Sequence, residues 1–112
     1  MTFEALDVVV VPFPFTDKLT TKRRPALVLS KAKSFNQWIG HSVLAMITSA
    51  NNSESPLDTE INDLAAAGLP AVSVVRMKLF TLDDRLIIRK AGELGDKDRE
   101  AVTEALRQLL PF

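Results

Sequence analysis

Apolar positions in this chain fall into short runs, most of them closed by proline, glycine or a polar cluster. Asp7-Val8-Val9-Val10-Val11-Pro12-Phe13 is β-branched and too short for a helix of equal hydrophobicity, so it predicts a buried strand. Proline donates nothing to a ladder, so at Pro12 and Pro14 the strand is expected to become an edge or to leave the sheet. Residues 16–24 are polar and basic with no period and predict a loop; residues 25–30 predict a second strand. Residues 31–40 allow a short helix or turn around Ser34-Phe35-Asn36, and residues 41–49 read as a third strand. Residues 50–56 have loop composition, and residues 58–61 suit a short strand. Asn62-Asp63 before Leu64-Ala65-Ala66-Ala67-Gly68 predicts a capped short helix stopped by glycine and again by Pro70. Residues 71–82 predict one long strand or two joined ones, Asp83-Asp84-Arg85 a turn, and residues 86–90 a further strand.

The chain ends in its clearest helix. Asp96 stands where an N-cap belongs, and Asp98 and Glu100 suit the positive end of the helix dipole. Ala101, Val102, Ala105, Leu106, Leu109 and Leu110 share one apolar face, while Lys97, Glu100, Glu104, Arg107 and Gln108 cover the other. Strands first and one helix last predict a mainly β fold, a small barrel or twisted sheet with a helix packed on it.

Composition narrows the class. A length of 112 residues suits one domain over 1–112. Zero cysteines exclude disulfides, thiolate metal sites and a cysteine nucleophile, and fit a reducing, cytoplasmic setting. The start lacks a basic signal-peptide region, and no apolar run approaches the roughly 20 residues that span a bilayer, so no membrane role is expected. Fourteen basic and fourteen acidic residues cancel. That balance argues against a uniformly basic nucleic-acid coat. It hides a gradient, however: residues 1–50 carry six basic and three acidic groups, whereas residues 51–112 carry eight and eleven.

Candidate chemistry gathers around the first loop. Lys18, Lys22, Arg23 and Arg24 fall within seven residues, close to Phe13 and Phe15. Cations attract phosphate and aromatics stack on unpaired bases; the same residues also suit a solvated loop beside two core phenylalanines. Pro25 biases Arg24 towards an extended backbone at the mouth of a strand, where a guanidinium is placed to fork onto phosphate. Thr48 and Ser49, at the end of the third strand, offer hydroxyl donors or serve as ordinary strand-end residues. Ser73 and Arg76 are a weaker candidate, on opposite faces of a regular strand. His41, the single histidine, is a possible acid or base or simply a polar residue opening a strand. No metal-ligand spacing, Gly-rich phosphate loop or Ser-His-Asp order is present, so neither metal nor cofactor is expected.

The segments Asp7-Val8-Val9-Val10-Val11-Pro12-Phe13-Pro14-Phe15-Thr16-Asp17 and Lys22-Arg23-Arg24-Pro25-Ala26-Leu27-Val28-Leu29-Ser30 resemble the N-terminal signature of the MazF/PemK toxin family. Ala67-Gly68-Leu69-Pro70 and Ser73-Val74-Val75-Arg76-Met77-Lys78-Leu79-Phe80-Thr81-Leu82 resemble its PemK-like branch, so the resemblance spans nearly the whole chain. It implies an SH3-like, partly open β-barrel of MazF/CcdB type with a C-terminal helix, and a homodimer. It implies a metal-independent endoribonuclease (an mRNA interferase) that cuts single-stranded RNA. A cognate MazE/PemI-like antitoxin neutralises such a toxin, and the complex of the two binds DNA. The family's catalytic arginine and threonine fall on Arg24 and Thr48. The sequence departs from the family where some members carry an aspartate base: Ser73 stands there, with Ala71 in place of an arginine. Asp17 and His41 are the candidate proton acceptors, and Phe15, Lys18, Lys22, Arg23, Ser49, Ser73 and Arg76 the candidate RNA contacts. The alternative on the same barrel is a non-enzymatic module that poisons a protein target or acts as a regulator. The low aromatic content, 6% with no tyrosine, leans towards it. Phe13, Phe15, Trp38 and Met77 are candidates for a two-fold interface or for the core.

Overall fold

The computed structural model describes residues 2–13, 22–51 and 53–111. Six strands form one sheet: β1 (Asp7–Phe13), β2 (Lys22–Val28), β3 (His41–Ser49), β4 (Thr59–Glu60), β5 (Ser73–Asp83) and β6 (Arg89–Glu93). Their order is β4-β5-β3-β2-β1-β6, and every pairing is antiparallel. Three α-helices accompany them among the described residues, α1 (Gln37–Ile39), α2 (Leu64–Ala67) and α3 (Asp96–Leu109), with a π-helical turn at Ala32–Asn36 and a 3₁₀ turn at Asp84–Leu86.

The valine run explains itself once both faces of the sheet are seen to be covered. Val8, Leu27, Ala45, Ile47 and Val75 point to one face, where they pack with Ile61, Ala67, Leu94 and Val102. Val9, Val11, Ala26, Val28, Leu44 and Leu82 point to the other and pack with Phe3 and Ile87. A strand buried on both sides has no polar alternation to show. The first cluster draws residues from beyond β4 and β6 onto one helix, so the sheet curls into a half-barrel whose edges are β4 and β6.

Helix α2 sits backbone to backbone on β6. A β-carbon on Gly92 would fall 2.3 Å from the Ala66 carbonyl oxygen, and one on Gly68 would fall 2.1 Å from that of Ala91. Ala91 is where the β1–β6 register slips, so the bulge and the two glycines form one seat. Gly68 also turns the chain at φ 71° as the C-cap of α2. Asp63 caps the other end of α2, accepting from the Ala66 amide at 3.0 Å.

Asp98, in the first turn of α3, is buried and reaches outward. Its carboxylate accepts the Asn62 amide at 3.0 and 3.1 Å and the Asp63 amide at 3.0 Å, docking α3 against the start of α2. A second buried polar knot holds the opposite side. The Asn36 amide donates to the Phe3 carbonyl at 2.9 Å and the Ser30 carbonyl at 3.0 Å, and accepts from the Ser30 hydroxyl. A third tie joins β5 to the approach of β4: Arg76 Nε and Nη2 fork onto Asp58 at 3.1 and 2.9 Å, and Nη2 also donates to the Ser53 carbonyl. Arg76 holds the Asp58 carboxyl below its ordinary value.

Several expectations change in detail. β2 starts at Lys22, not Pro25, because β1 continues to Phe13 and offers Lys22, Arg23 and Arg24 a ladder partner. Past Val10, β1 has no β6 partner among the described residues, so Pro12 does lie where the strand is an edge. β5 is one strand whose register against β3 slips by two residues at Met77 and Lys78. Leu86 ends a short helical turn (Asp84–Leu86), and residues 87–88 link it to β6, which runs on to Glu93. Gly95, not Asp96, occupies the N-cap of α3. Its buried face narrows to Val102 and Ala105, with Leu109 and Leu110 at the surface.

Three stability outcomes follow from these contacts. Gly92→Ala should cost about 3 kcal/mol or more by driving α2 off β6, measured by urea denaturation. Asp98→Ala should cost about 3 kcal/mol, since two amides lose a charged acceptor. Asp58 has a lowered folded-state pKa, so its contribution is complete above the ordinary aspartate value of 3.8 and fades as pH falls through the folded value. The melting-temperature gap between wild type and Asp58→Asn should therefore be constant at neutral pH and close in acid below about pH 3.8.

Candidate functional site

The antiparallel order brings the start of β2 next to the end of β3. Ala26 pairs with Met46, Leu27 with Ala45 and Val28 with Leu44. Carried two residues past the last β2–β3 pair, the same register leads from Ala26 and Met46 to Arg24 and Thr48. Side chains repeat their face every second residue, so Arg24 and Thr48 project from the same face as Ala26, Val28 and Leu44. Arg24 also pairs with Val11 of β1, which sets it between two strands.

Lys22 on β2 shares that face, while Arg23 and Ser49, each one residue off, project from the other face at the same end of the sheet. Lys22, Arg23 and Arg24 are all exposed, and among the described residues none forms an ion pair with a carboxylate. Phe13 closes β1 opposite Lys22. Phe15, Asp17 and Lys18 fall outside the described residues.

The other candidates are placed differently. Ser73 pairs with Ser49 but is buried, and its hydroxyl donates to the Ala71 carbonyl at 2.8 Å. Arg76 stands across from Met46 on the Arg24 face, yet its guanidinium is committed to Asp58 and Ser53 and is not open to phosphate. His41 opens β3, seven residues from Thr48, which is about 23 Å along a strand at roughly 3.3 Å per residue. It is not brought to Arg24. Its Nδ1 lies 2.9 Å from the Ile39 carbonyl and its Nε2 4.0 Å from Asp83.

His41 belongs instead to a cleft of about 830 Å³ at the opposite end of the sheet, also lined by Phe3, Asp83, Arg85 and Ile88. There the side chain and amide of Arg85 both donate to Asp83, and the nearby His41 adds a small attraction; the Asp83 carboxyl falls to about 2. Trp38, beside that end, is 73% exposed, whereas Met77 packs on the core. Trp38 and Phe13 thus lie at opposite ends and do not form one apolar patch. Among the described residues, no group of three or more His, Cys, Asp or Glu is placed to hold a metal ion. No helix among them is long and apolar enough to cross a membrane.

Sequence reading missed Asp58 and the connection it anchors. Arg76 and Asp58 are 18 residues apart, and no local pattern links them.

Solved structures of MazF toxins share this architecture. The MazE–MazF complex (Form-II) from Deinococcus radiodurans matches with a TM-score of 0.72 and 25% identity, over 97% of this chain and 95% of that one. Form-III of the same complex matches with a TM-score of 0.78 and 24% identity, over 100% and 99%. An endoribonuclease in complex with its cognate antitoxin from a mycobacterial species shares the fold with a TM-score of 0.73 at 15% identity, over 99% and 95%. No curated protein sequence matches this chain significantly. A family model matches residues 4–110, and on that match the chain belongs to the PemK-like, MazF-like toxins of type II toxin–antitoxin systems.

Proposed function

We propose that this toxin is a metal-independent endoribonuclease that cuts single-stranded RNA, mRNA above all. The carrying observation is that exposed Arg24 lies on the sheet face that Thr48 shares, at the end of the sheet where Lys22 and Arg23 add positive charge.

RNA brings its own nucleophile. The 2′-oxygen attacks the adjacent phosphorus while the bond from phosphorus to the 5′-oxygen breaks. The proton of the 2′-hydroxyl leaves to a base, and the departing 5′-oxygen takes up a proton. The products are a 2′,3′-cyclic phosphate and a 5′-hydroxyl. The barrier lies largely in the charge that builds on the phosphorane, so donors aimed at its oxygens are the largest aid. Arg24 supplies a fork of donors and a permanent positive charge; because it does not lose its proton at neutral pH, its role is the clamp and not the base. Thr48 supplies a neutral hydroxyl beside it. Lys22, Arg23, Ser49, Phe15 and Lys18 hold the flanking strand, the cations on phosphates and Phe15 on a base. Asp17 is the favoured proton acceptor, since His41 lies about 23 Å along β3 in the same protomer.

A MazE/PemI-like antitoxin neutralises the protein, as the MazE–MazF complexes and the mycobacterial complex support by analogy. The active form is a cytoplasmic homodimer.

Purified protein should cleave mixed RNA in excess EDTA and leave 5′-hydroxyl ends that polynucleotide kinase labels directly. Arg24→Ala should lower the rate by about 10²–10³, with Arg24→Lys in between because the ammonium keeps the charge and loses the fork. Intact RNA, or unchanged cleavage by Arg24→Ala, would overturn the proposal. Growth arrest with intact cellular RNA would instead favour a module that poisons a protein target.

A further inference from the structure

The connection from β3 to β4 leaves the sheet directly after Thr48 and Ser49, and it is held more tightly than a surface loop requires. Ser55 donates its amide to Asp58 Oδ2 at 2.9 Å, and Asp58 returns its own amide to the Ser55 carbonyl at 3.2 Å. Leu57, inside this turn, adopts φ 65°, a left-handed conformation that a branched side chain rarely takes. Such strain persists only where the surroundings enforce it. Arg76 braces the turn from β5, gripping both Asp58 oxygens and the Ser53 carbonyl, while the Thr59 hydroxyl donates to the Leu57 carbonyl at 3.3 Å. The two charged side chains are only 12% and 14% exposed.

The turn so fixed walls a pocket of about 410 Å³, which lies within the roughly 300–1,000 Å³ typical of small-ligand sites. Ala50, Glu54, Ser55, Leu57, Glu60 and Val74 line it with the ion pair. Val74 is the β5 partner of Thr48, so the pocket adjoins the proposed cleavage site on the same face. Among its described lining residues the single cation, Arg76, is already spent on Asp58. A phosphate meets the Glu54 and Glu60 carboxylates there and no free cation among the described lining residues, whereas those carboxylates suit the N–H donors of a neutral base.

We propose that Asp58 and Arg76 are positioning residues that hold this turn as the wall of a base-recognition pocket. The ligand is one unpaired nucleobase of the RNA strand next to the scissile phosphate. The inference rests on the endoribonuclease reading. Arg76 acts through Asp58 and the turn and does not touch the reacting atoms.

The test is sequence discrimination. Wild type is first run on a randomised single-stranded RNA, and the 5′-hydroxyl ends are sequenced to find its preferred site. kcat and KM are then measured on the best oligonucleotide and on single-base variants of it, alongside melting temperatures. Arg76→Ala should lose about tenfold or more of the discrimination at one position beside the cut, mainly through KM. Arg76→Lys should not restore it, because one ammonium cannot span both Asp58 oxygens and the Ser53 carbonyl. Leu57→Gly tolerates the positive φ and removes the wall side chain, so it should relax the same position while keeping the fold. If Arg76→Ala does not fold, Leu57→Gly decides alone. Variants that fold and keep wild-type discrimination, with wild type cutting normally, overturn this inference only. A wild-type protein that cuts no RNA overturns both this inference and the endoribonuclease reading.

Discussion

The register of β2 between β1 and β3 is the constraint on which the rest depends. Pairing Ala26 with Met46 and Val11 with Arg24 sends Val9, Val11, Ala26, Val28 and Leu44 into one core and Val8, Leu27 and Ala45 into the other. A slip of one residue would exchange both cores at once. The same slip would carry Arg24 to the face away from Thr48. Burial on two sides therefore protects the site geometry: the energy that holds the register is hydrophobic, spread over many side chains, and indifferent to the chemistry it positions.

The two ends of the sheet are held by different means. At one end the buried Asn36 ties the N-terminal segment to the end of β2, and the Asp83–Arg85 pair lies beside the His41 cleft. At the other end, the cations of β2 stay exposed while Arg76 is neutralised by Asp58. Two arginines on one face are thus placed differently: Arg24 is exposed with no ion pair among the described residues, and Arg76 is bound to Asp58. The difference comes from what stands opposite each of them, not from the residue type. The net charge of zero is compatible with this division, because a site needs only a local surplus and the acidic residues lie mostly in the second half.

Much of the fold was legible from local patterns. The strand at Asp7–Phe13, the strand at His41–Ser49, the Asp63-capped turn ended by Gly68 and the final helix all follow from β-branching, capping and periodicity. Errors came where a distant partner decided. Lys22 to Arg24 look like loop because they are charged, and they are strand because β1 extends far enough to pair with them. Leu109 and Leu110 fit the apolar period of α3, yet the sheet does not reach them.

By itself the sequence determined the strand-rich class, the mainly β fold with a terminal helix, and the presence of Arg24 and Thr48 in a family-like frame, since these rest on residue type and near-neighbour spacing. Only the tertiary structure decided which cations are available. It put Arg24 and Thr48 on one face at one end of the sheet, committed Arg76 to Asp58 across 18 residues, buried Ser73, and left His41 at the far end of β3. Charge pairing and strand register join residues far apart in the chain, and neither leaves a mark on the local pattern.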